Sequence, residues 1–252
     1  MTWKHIAATV TGISHLNRNE GGQDYCRVQV VQFGDREYFI GLVADGAGST
    51  ADGGVGAQIA CDTILGCITV SIRDTGELSG ISHEDVEHWV SAARDAIARQ
   101  AEMSSKPLRE YACTLLGAVI ADNHARYFQI GDGGIVIHEE AGYTAVFWPD
   151  QGEYANTTYF ITDEAFLSHL SQQSSASPPD EIALFTDGLQ NLVLSFSRKV
   201  PHDGFFKPLF ETLRKSCGGE NPILTEQLRT FLTSREINER SDDDKTLILA
   251  TH

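Results

Sequence analysis

Two stretches of this chain are apolar nearly throughout, and each ends in Asp-Gly. They are Ile40-Gly41-Leu42-Val43-Ala44-Asp45-Gly46 and Ile182-Ala183-Leu184-Phe185-Thr186-Asp187-Gly188. Each reads as a buried strand. Such a strand delivers its last residue to the edge of the hydrophobic layer, where solvent begins. An aspartate there is a fixed, ionised oxygen ligand, and the glycine lets the backbone turn sharply and approach a ligand closely. Two such ends meeting in space would make a site for hard divalent cations.

The rest of the chain supplies layers around these strands. Short β-like alternations occupy residues 3–14. Tyr25 to Phe33 and Glu37 to Ala44 predict a hairpin turning at Gly34-Asp35. Beyond the glycine-rich residues 46–56, Ile59, Ala60, Thr63, Ile64, Cys67 and Ile68 recur at helical spacing. Residues 75–80 predict a loop. A second helix is expected from Ser82, which with Asp85 resembles a capping box; Val86, Trp89, Val90, Ala93 and Ile97 line one face. Residues 112–121 and 126–130 predict another hairpin, extended by 135–138 and 143–147. The polar run of residues 171–179 predicts a mobile loop. Helical stretches are expected over 189–195, 203–216 and 221–235, the last with Asn221 as N-cap and Pro222 at the first helical position. An apolar strand over 246–250 closes the order. Strands and helices are grouped rather than alternating, which predicts an α+β chain: a four-layer αββα sandwich, two antiparallel sheets flanked by helices, in one domain over 1–252.

Composition removes several classes of function. A formal net charge of −16, with no compensating basic patch, argues against nucleic-acid binding. No apolar run of membrane-spanning length and no signal peptide are found, so no membrane association and a cytoplasmic location are expected. The five cysteines form no C-x-x-C pair and read as buried free thiols, and no zinc spacing occurs.

Further aspartates sit where strands meet loops: Asp24 after Gly21-Gly22-Gln23, Asp132 in Gln129-Ile130-Gly131-Asp132-Gly133, and the run Asp242-Asp243-Asp244 before the last strand. Each alone is an ordinary turn residue. Converging, they would repel one another and need a cation. Carboxylate and backbone oxygens select magnesium, manganese or calcium over zinc or copper. Two such ions can hold a nucleophilic water and clamp a phosphoryl group.

At these residues the chain resembles the PPM, or PP2C-like, metal-dependent protein serine/threonine phosphatases of bacterial type. The motifs occur in order: the opening segment Gly12-Ile13-Ser14-His15 through Gln23-Asp24, Val43-Ala44-Asp45-Gly46-Ala47-Gly48, Cys113-Thr114-Leu115-Leu116, Gln129-Ile130-Gly131-Asp132, Leu184-Phe185-Thr186-Asp187-Gly188-Leu189 and Asp243-Asp244-Lys245-Thr246-Leu247. The resemblance implies two Mn2+ or Mg2+ ions. Asp45 would bridge both, the Gly46 carbonyl would bind one, and Asp187 and Asp243 would complete the other. Asp24 would hold metal-bound water, Asp244 would orient its neighbours, and Asp132 with Asp187 would support a third, weaker ion as in some bacterial members. The implied reaction is direct hydrolysis of phosphoserine or phosphothreonine by a metal-bridging hydroxide.

Three positions depart from the family pattern. Ala47 stands where some relatives have histidine, leaving the proton donor to water or another group. His15 is the nearest candidate, against a reading as a strand-end histidine with a structural hydrogen bond. Arg18 lies near the place of the family's phosphate-binding arginine, and either pairs with phosphate or is simply solvated. Gln23 replaces a carboxylate. Residues 151–173 match the family's flap, and Tyr154, Tyr159, Phe160 and Phe166 either contact a protein substrate or pack onto the sheet. The expected partner is a phosphorylated protein, a Ser/Thr kinase or its targets. The alternatives are a non-catalytic module of the same fold that binds phosphoproteins or regulates them, and a calcium-binding structural domain.

Overall fold

The computed structural model describes residues 2–140, 142–148 and 158–252. In chain order it holds β1 (Lys4–Val10), α1 (Ile13–Asn17), β2 (Asp24–Phe33), β3 (Arg36–Asp45), α2 (Gly53–Thr75), α3 (His83–Met103), β4 (Leu115–Ala121) and β5 (His124–Ile130). There follow β6 (Gly134–Glu139), β7 (Gly142–Ala145), β8 (Ser171–Ser175), β9 (Glu181–Phe185), α4 (Gln190–Val193), β10 (Leu194–Ser195) and β11 (Val200–Pro201). The chain closes with α5 (Asp203–Arg214), β12 (Gly219–Glu220), α6 (Pro222–Leu232), α7 (Arg235–Asn238) and β13 (Lys245–Thr251).

The strands form two large sheets. One runs β12-β1-β13-β9-β6-β7 and the other β2-β3-β4-β5-β8. Every pair is antiparallel except the short β1–β12 contact.

Period-two alternation sorts the apolar runs between layers. On β3, Tyr38, Ile40, Leu42 and Ala44 pack under α2 and α3, while Phe39 and Val43 face the other sheet. On β9, Ile182 and Leu184 join that inter-sheet core, and Ala183 and Phe185 pack on α5 with Phe206 and Phe210. On β13, Ile248 and Ala250 point inward and Leu247 and Leu249 outward to the α5 and α6 layer. Both faces of these strands are covered, so no polar residue interrupts their apolar stretches.

The caps at Ser82 and Asn221 form as expected. Ser82 accepts from the Asp85 amide while the Asp85 carboxylate accepts from the Ser82 amide, and Asn221 accepts from the Leu224 amide at 3.0 Å. Four expectations change. Residues 171–175, expected as a mobile loop, form β8, because the edge of β5 pairs with them from Ala125 to Gln129. Backbone pairing needs no apolar side chain, so the polar sequence hid the strand. Ile13 and Ser14, expected at the end of a β-like segment, instead open α1, which places His15 on a short helix rather than at a strand end. The helical stretch 189–195 stops at Val193 and gives way to β10. α2 begins at Gly53, inside the glycine run, and extends to Thr75.

That longer α2 reaches the length and apolarity of a membrane span, with a mean hydropathy of 1.6, where none was expected. Its stripe Ala57, Ala60, Cys61, Ile64, Ile68 and Ile72 is buried against the sheet and α3. Tyr154 lies outside the described residues.

Candidate metal centre

The two sheets bring their acidic ends to one edge. β2 starts at Asp24 and β3 ends at Asp45, and the two aspartates are direct partners in the ladder. Their position is fixed by Thr114: the Asp45 amide donates to Thr114 Oγ1 at 3.0 Å, and the Thr114 amide donates to the Asp45 carbonyl at 2.8 Å. From the other sheet, Asp187 opens a short 3-10 turn (Asp187–Leu189) after β9, and Asp243 and Asp244 lie just before β13.

Two threonines stitch the sheets together at this edge. Thr186 Oγ1 and Thr246 Oγ1 each donate to Asp24 Oδ2 at 2.8 Å, and the Thr246 amide donates to Thr186 Oγ1 at 3.0 Å. Asp24, on one sheet, is thus held by side chains of the other.

The resulting cluster is a chain of carboxyl groups. The Asp45 carboxyl lies beside those of both Asp24 and Asp187, and Asp132 and Asp243 flank Asp187. Burial, then the neighbouring carboxyls, pushes Asp45 well above the usual carboxylate range. Burial pushes Asp24 up to about 7, against the lowering effect of the two threonine hydroxyls. Burial, then the charges of Asp132 and Asp243, pushes Asp187 up to about 6. Buried like charges this close are costly unless protonated or neutralised by a cation.

The chemistry of the donors fits hard divalent cations. Asp24 Oδ1 and Asp187 Oδ1 are buried with no hydrogen-bond partner among the described residues. The nearby Lys245, fully buried, donates to the Asp243 carbonyl at 2.7 Å and so braces the loop before β13, with the charges of Asp244, Asp243 and Asp24 acting on its ammonium. Among the described residues no three His, Cys, Asp or Glu side chains are arranged around one ion position. Asp45 and Asp187 lie side by side with Asp243 next to them, so backbone oxygen and water would complete any coordination shell. The Gly46 carbonyl belongs to the same turn. A Cβ on Gly46 would stand 2.3 Å from the Gly53 carbonyl carbon, so only glycine lets the start of α2 pack against it.

The other expected residues occupy distinct places. Asp244 is buried and accepts from the Gly12 amide (2.7 Å), the Gln23 amide (2.5 Å) and His15 Nδ1 (2.9 Å). It therefore pins the segment leading into Asp24 to the loop that carries Asp243. His15 is 3% exposed and engaged by Asp244, so it is not an open proton donor. Arg18 is about half exposed, and its Nε donates to Glu20 at 2.6 Å. Asp132 Oδ2 accepts from Thr158 at 2.8 Å. Tyr159 stacks on His169 at 3.5 Å between ring centroids, and Phe166 lies under Arg94. Sequence reasoning assigned no role to Thr186, Thr246 or Lys245. The available signal was a threonine immediately before Asp187 and another two residues after Asp244.

Known proteins share this architecture. A family model described as Protein phosphatase 2C matches residues 11–233. Over 251 residues the chain is 37% identical to Serine/threonine-protein phosphatase 3 of Escherichia coli (strain K12), covering 99% of this chain and 98% of that one. In structure it is similar to the Mycobacterium tuberculosis serine/threonine phosphatase PstP/Ppp, with a TM-score of 0.64 and 17% identity, covering 100% of this chain and 99% of that one. It is also similar to the catalytic domain of serine threonine protein phosphatase PstP in complex with 2 manganese ions, with a TM-score of 0.61 and 17% identity, covering 99% and 98%. The structural likeness extends over nearly the whole of each chain, and the sequence match to the Escherichia coli protein spans 99% of this chain. Fold, carboxylate cluster and sequence therefore agree that this chain belongs to the protein phosphatase 2C family.

Proposed function

We propose that this metal-dependent protein phosphatase cleaves phosphoserine and phosphothreonine esters of a protein substrate by direct transfer of the phosphoryl group to water. The observation that carries this reading is the convergence of the Asp45, Asp24 and Asp187 carboxyls at one sheet edge, with the Asp24 and Asp187 Oδ1 atoms buried and without a hydrogen-bond partner among the described residues. Two bound divalent cations, manganese or magnesium, supply an activated water and charge neutralisation of the phosphoryl oxygens.

The chain's own residues set the geometry. Asp45, the Gly46 carbonyl, Asp187 and Asp243 would hold the ions, and Asp132 with Asp187 would support a third. Asp24, fixed through Oδ2 by Thr186 and Thr246, presents Oδ1 toward the cluster to orient water. Asp244 anchors the segment that carries Asp24. Arg18 exchanges Glu20 for a phosphoryl oxygen. With Ala47 in place of a titratable group and His15 buried, the leaving oxygen takes its proton from water.

A covalent thiol route has little support here: burial pushes the Cys113 and Cys61 thiols far up, away from the thiolate form. The substrate is expected to be a protein phosphorylated by a Ser/Thr kinase, or the kinase itself.

Hydrolysis of p-nitrophenyl phosphate with added manganese tests the reading. Activity should vanish in excess chelator and in Asp45→Asn combined with Asp187→Asn. Activity that survives either treatment would sink the mechanism.

A further inference from the structure

The segment that forms α1 lies against the loop that carries Asp243. The Ser14 amide donates to the Asp242 carbonyl at 2.9 Å, and the Gly12 amide donates to Asp244 Oδ1 at 2.7 Å. A Cβ on Gly12 would stand 2.2 Å from the Asp243 carbonyl carbon, so the approach is backbone against backbone. Asp244 in turn sets its neighbour: its amide donates to Asp243 Oδ1 at 2.9 Å and orients that carboxylate.

His15 closes this contact from α1. Its ring is 3% exposed, and Nδ1 lies 2.9 Å from Asp244 Oδ1. Each Asp244 oxygen already accepts a backbone amide, one from Gly12 and one from Gln23, so Nδ1 is the donor here. Nε2 is buried and has no hydrogen-bond partner among the described residues, so the ring acts through Nδ1 alone.

The carbonyl of the same residue organises a different loop. It accepts from the Arg18 amide and from the Glu20 amide, each at 3.0 Å. Between them Asn19 takes a left-handed backbone, with φ 56°, which folds the chain back onto the helix end. Both partners of the Arg18–Glu20 ion pair therefore hang from His15. Glu20 lines a cavity of about 690 Å³ that also takes in Asp24, so this loop borders the metal centre. The side chain of His15 thus holds the loop of Asp243, and its carbonyl holds the loop of Arg18.

Resting on the phosphatase reading above, we infer that His15 is a positioning residue that keeps Arg18 in register with the metal centre by clamping α1 to Asp244. A phosphoryl group must meet the ions and the guanidinium together, so a small shift of α1 would spoil the fit. His15 touches neither ion nor substrate and transfers no proton.

The test separates the two ring nitrogens. The amide of asparagine places a donor where Nδ1 stands, and that of glutamine places one where Nε2 stands. His15→Ala, His15→Asn, His15→Gln and Arg18→Ala are compared by three readouts. These are manganese Kd by calorimetry, KM and kcat for p-nitrophenyl phosphate at saturating manganese, and the melting temperature in chelator. In His15→Ala, Kd and KM should each rise roughly tenfold, as for loss of a partner that supports the ligands from outside. His15→Gln should match it, and His15→Asn should recover most of both. Arg18→Ala should raise KM and leave the manganese Kd unchanged. A merely structural histidine would lower the melting temperature and leave Kd and KM of the folded variants as they were, which overturns the inference. Rescue by glutamine as good as that by asparagine overturns it too. If His15→Ala does not fold, the comparison of asparagine with glutamine decides. An unchanged KM in Arg18→Ala overturns the register with Arg18. Failure of the unsubstituted protein to hydrolyse the ester would instead overturn the phosphatase reading, and the manganese Kd values would still decide the clamp on Asp244.

Discussion

Asp24 and Asp45 face each other directly across the β2–β3 ladder, and each carboxyl lies in the other's field. Like charges in directly opposed positions destabilise a sheet. The fold retains the pair at the one edge where a divalent cation can offset it. Function and stability therefore oppose each other at this ladder position.

Neutralising the cluster should stabilise the metal-free protein while abolishing catalysis. Asp45→Asn removes the central charge of three adjacent carboxyls. In excess chelator it should raise stability by on the order of 1–2 kcal/mol, and manganese-dependent ester hydrolysis should drop at least ~100-fold. Thermal melts with and without manganese, beside activity, check both halves.

The metal-free protein should lose stability as pH rises. Asp24 and Asp187 have folded-state values of about 7 and about 6, above the unfolded carboxylate value near ~3.9. Between these limits the folded state binds more protons than the unfolded, so stability falls with increasing pH. The loss begins near pH ~4 and is complete above pH ~7. Added manganese should reverse the trend, since it binds the ionised carboxylates; at a hundred times its Kd it adds ~2.7 kcal/mol. Melting temperatures from pH 4 to 8, in chelator and in manganese, decide this.

Removing the stitches between the sheets should cost stability and weaken metal binding together. Thr186→Val and Thr246→Val each delete a donor to Asp24 Oδ2. Each should destabilise by ~1–3 kcal/mol, the range for losing one hydrogen bond to a charged buried acceptor that keeps its other donor. With Asp24→Leu as background, either substitution should cost clearly less, because the acceptor is gone. Urea denaturation of the single and double variants measures the coupling.

Two glycines of α2 should respond oppositely to alanine. At Gly56 a Cβ would stand 2.0 Å from the Tyr111 carbonyl oxygen, and Gly56→Ala should destabilise by ~1–3 kcal/mol through overpacking. At Gly66 a Cβ meets nothing within 4 Å, and Gly66→Ala should stabilise by ~0.5–1 kcal/mol through helix propensity. Denaturation midpoints of the two variants give the signs.

The legible parts of this molecule were those in which side-chain chemistry repeats what the backbone does. The runs ending at Asp45 and Asp187 announced buried strands because both their faces are covered. The caps at Ser82 and Asn221 announced helix starts because their side chains close the first turn. β8 was illegible because Ser171–Ser175 joins its sheet through backbone groups alone. The start of α2 was hidden because Gly53 and Gly54 are poor helix formers, chosen there for close approach to Gly46 and Gln23. In the candidate site, the aspartates stood out as charges at strand ends. Thr186 and Thr246 did not, since a hydroxyl that bridges two sheets looks in sequence like any strand threonine. Arg18 was visible as a cation, but its ion pair with Glu20, two residues away, depends on the course of the loop.

The last strand in sequence, β13, lies in the interior of its sheet, between β1 and β9. Its partner β1 is the first strand, so Ile6 pairs with Leu249 across nearly the whole chain. Such distant pairing is slow, because the loop must close before any contact rewards it. The six-stranded sheet cannot knit until β13 arrives, and the loop with Asp243 arrives with it. Catalytic competence should therefore emerge only in the final folding step, and recovery of activity during refolding should lag behind the helical signal of α2 and α3.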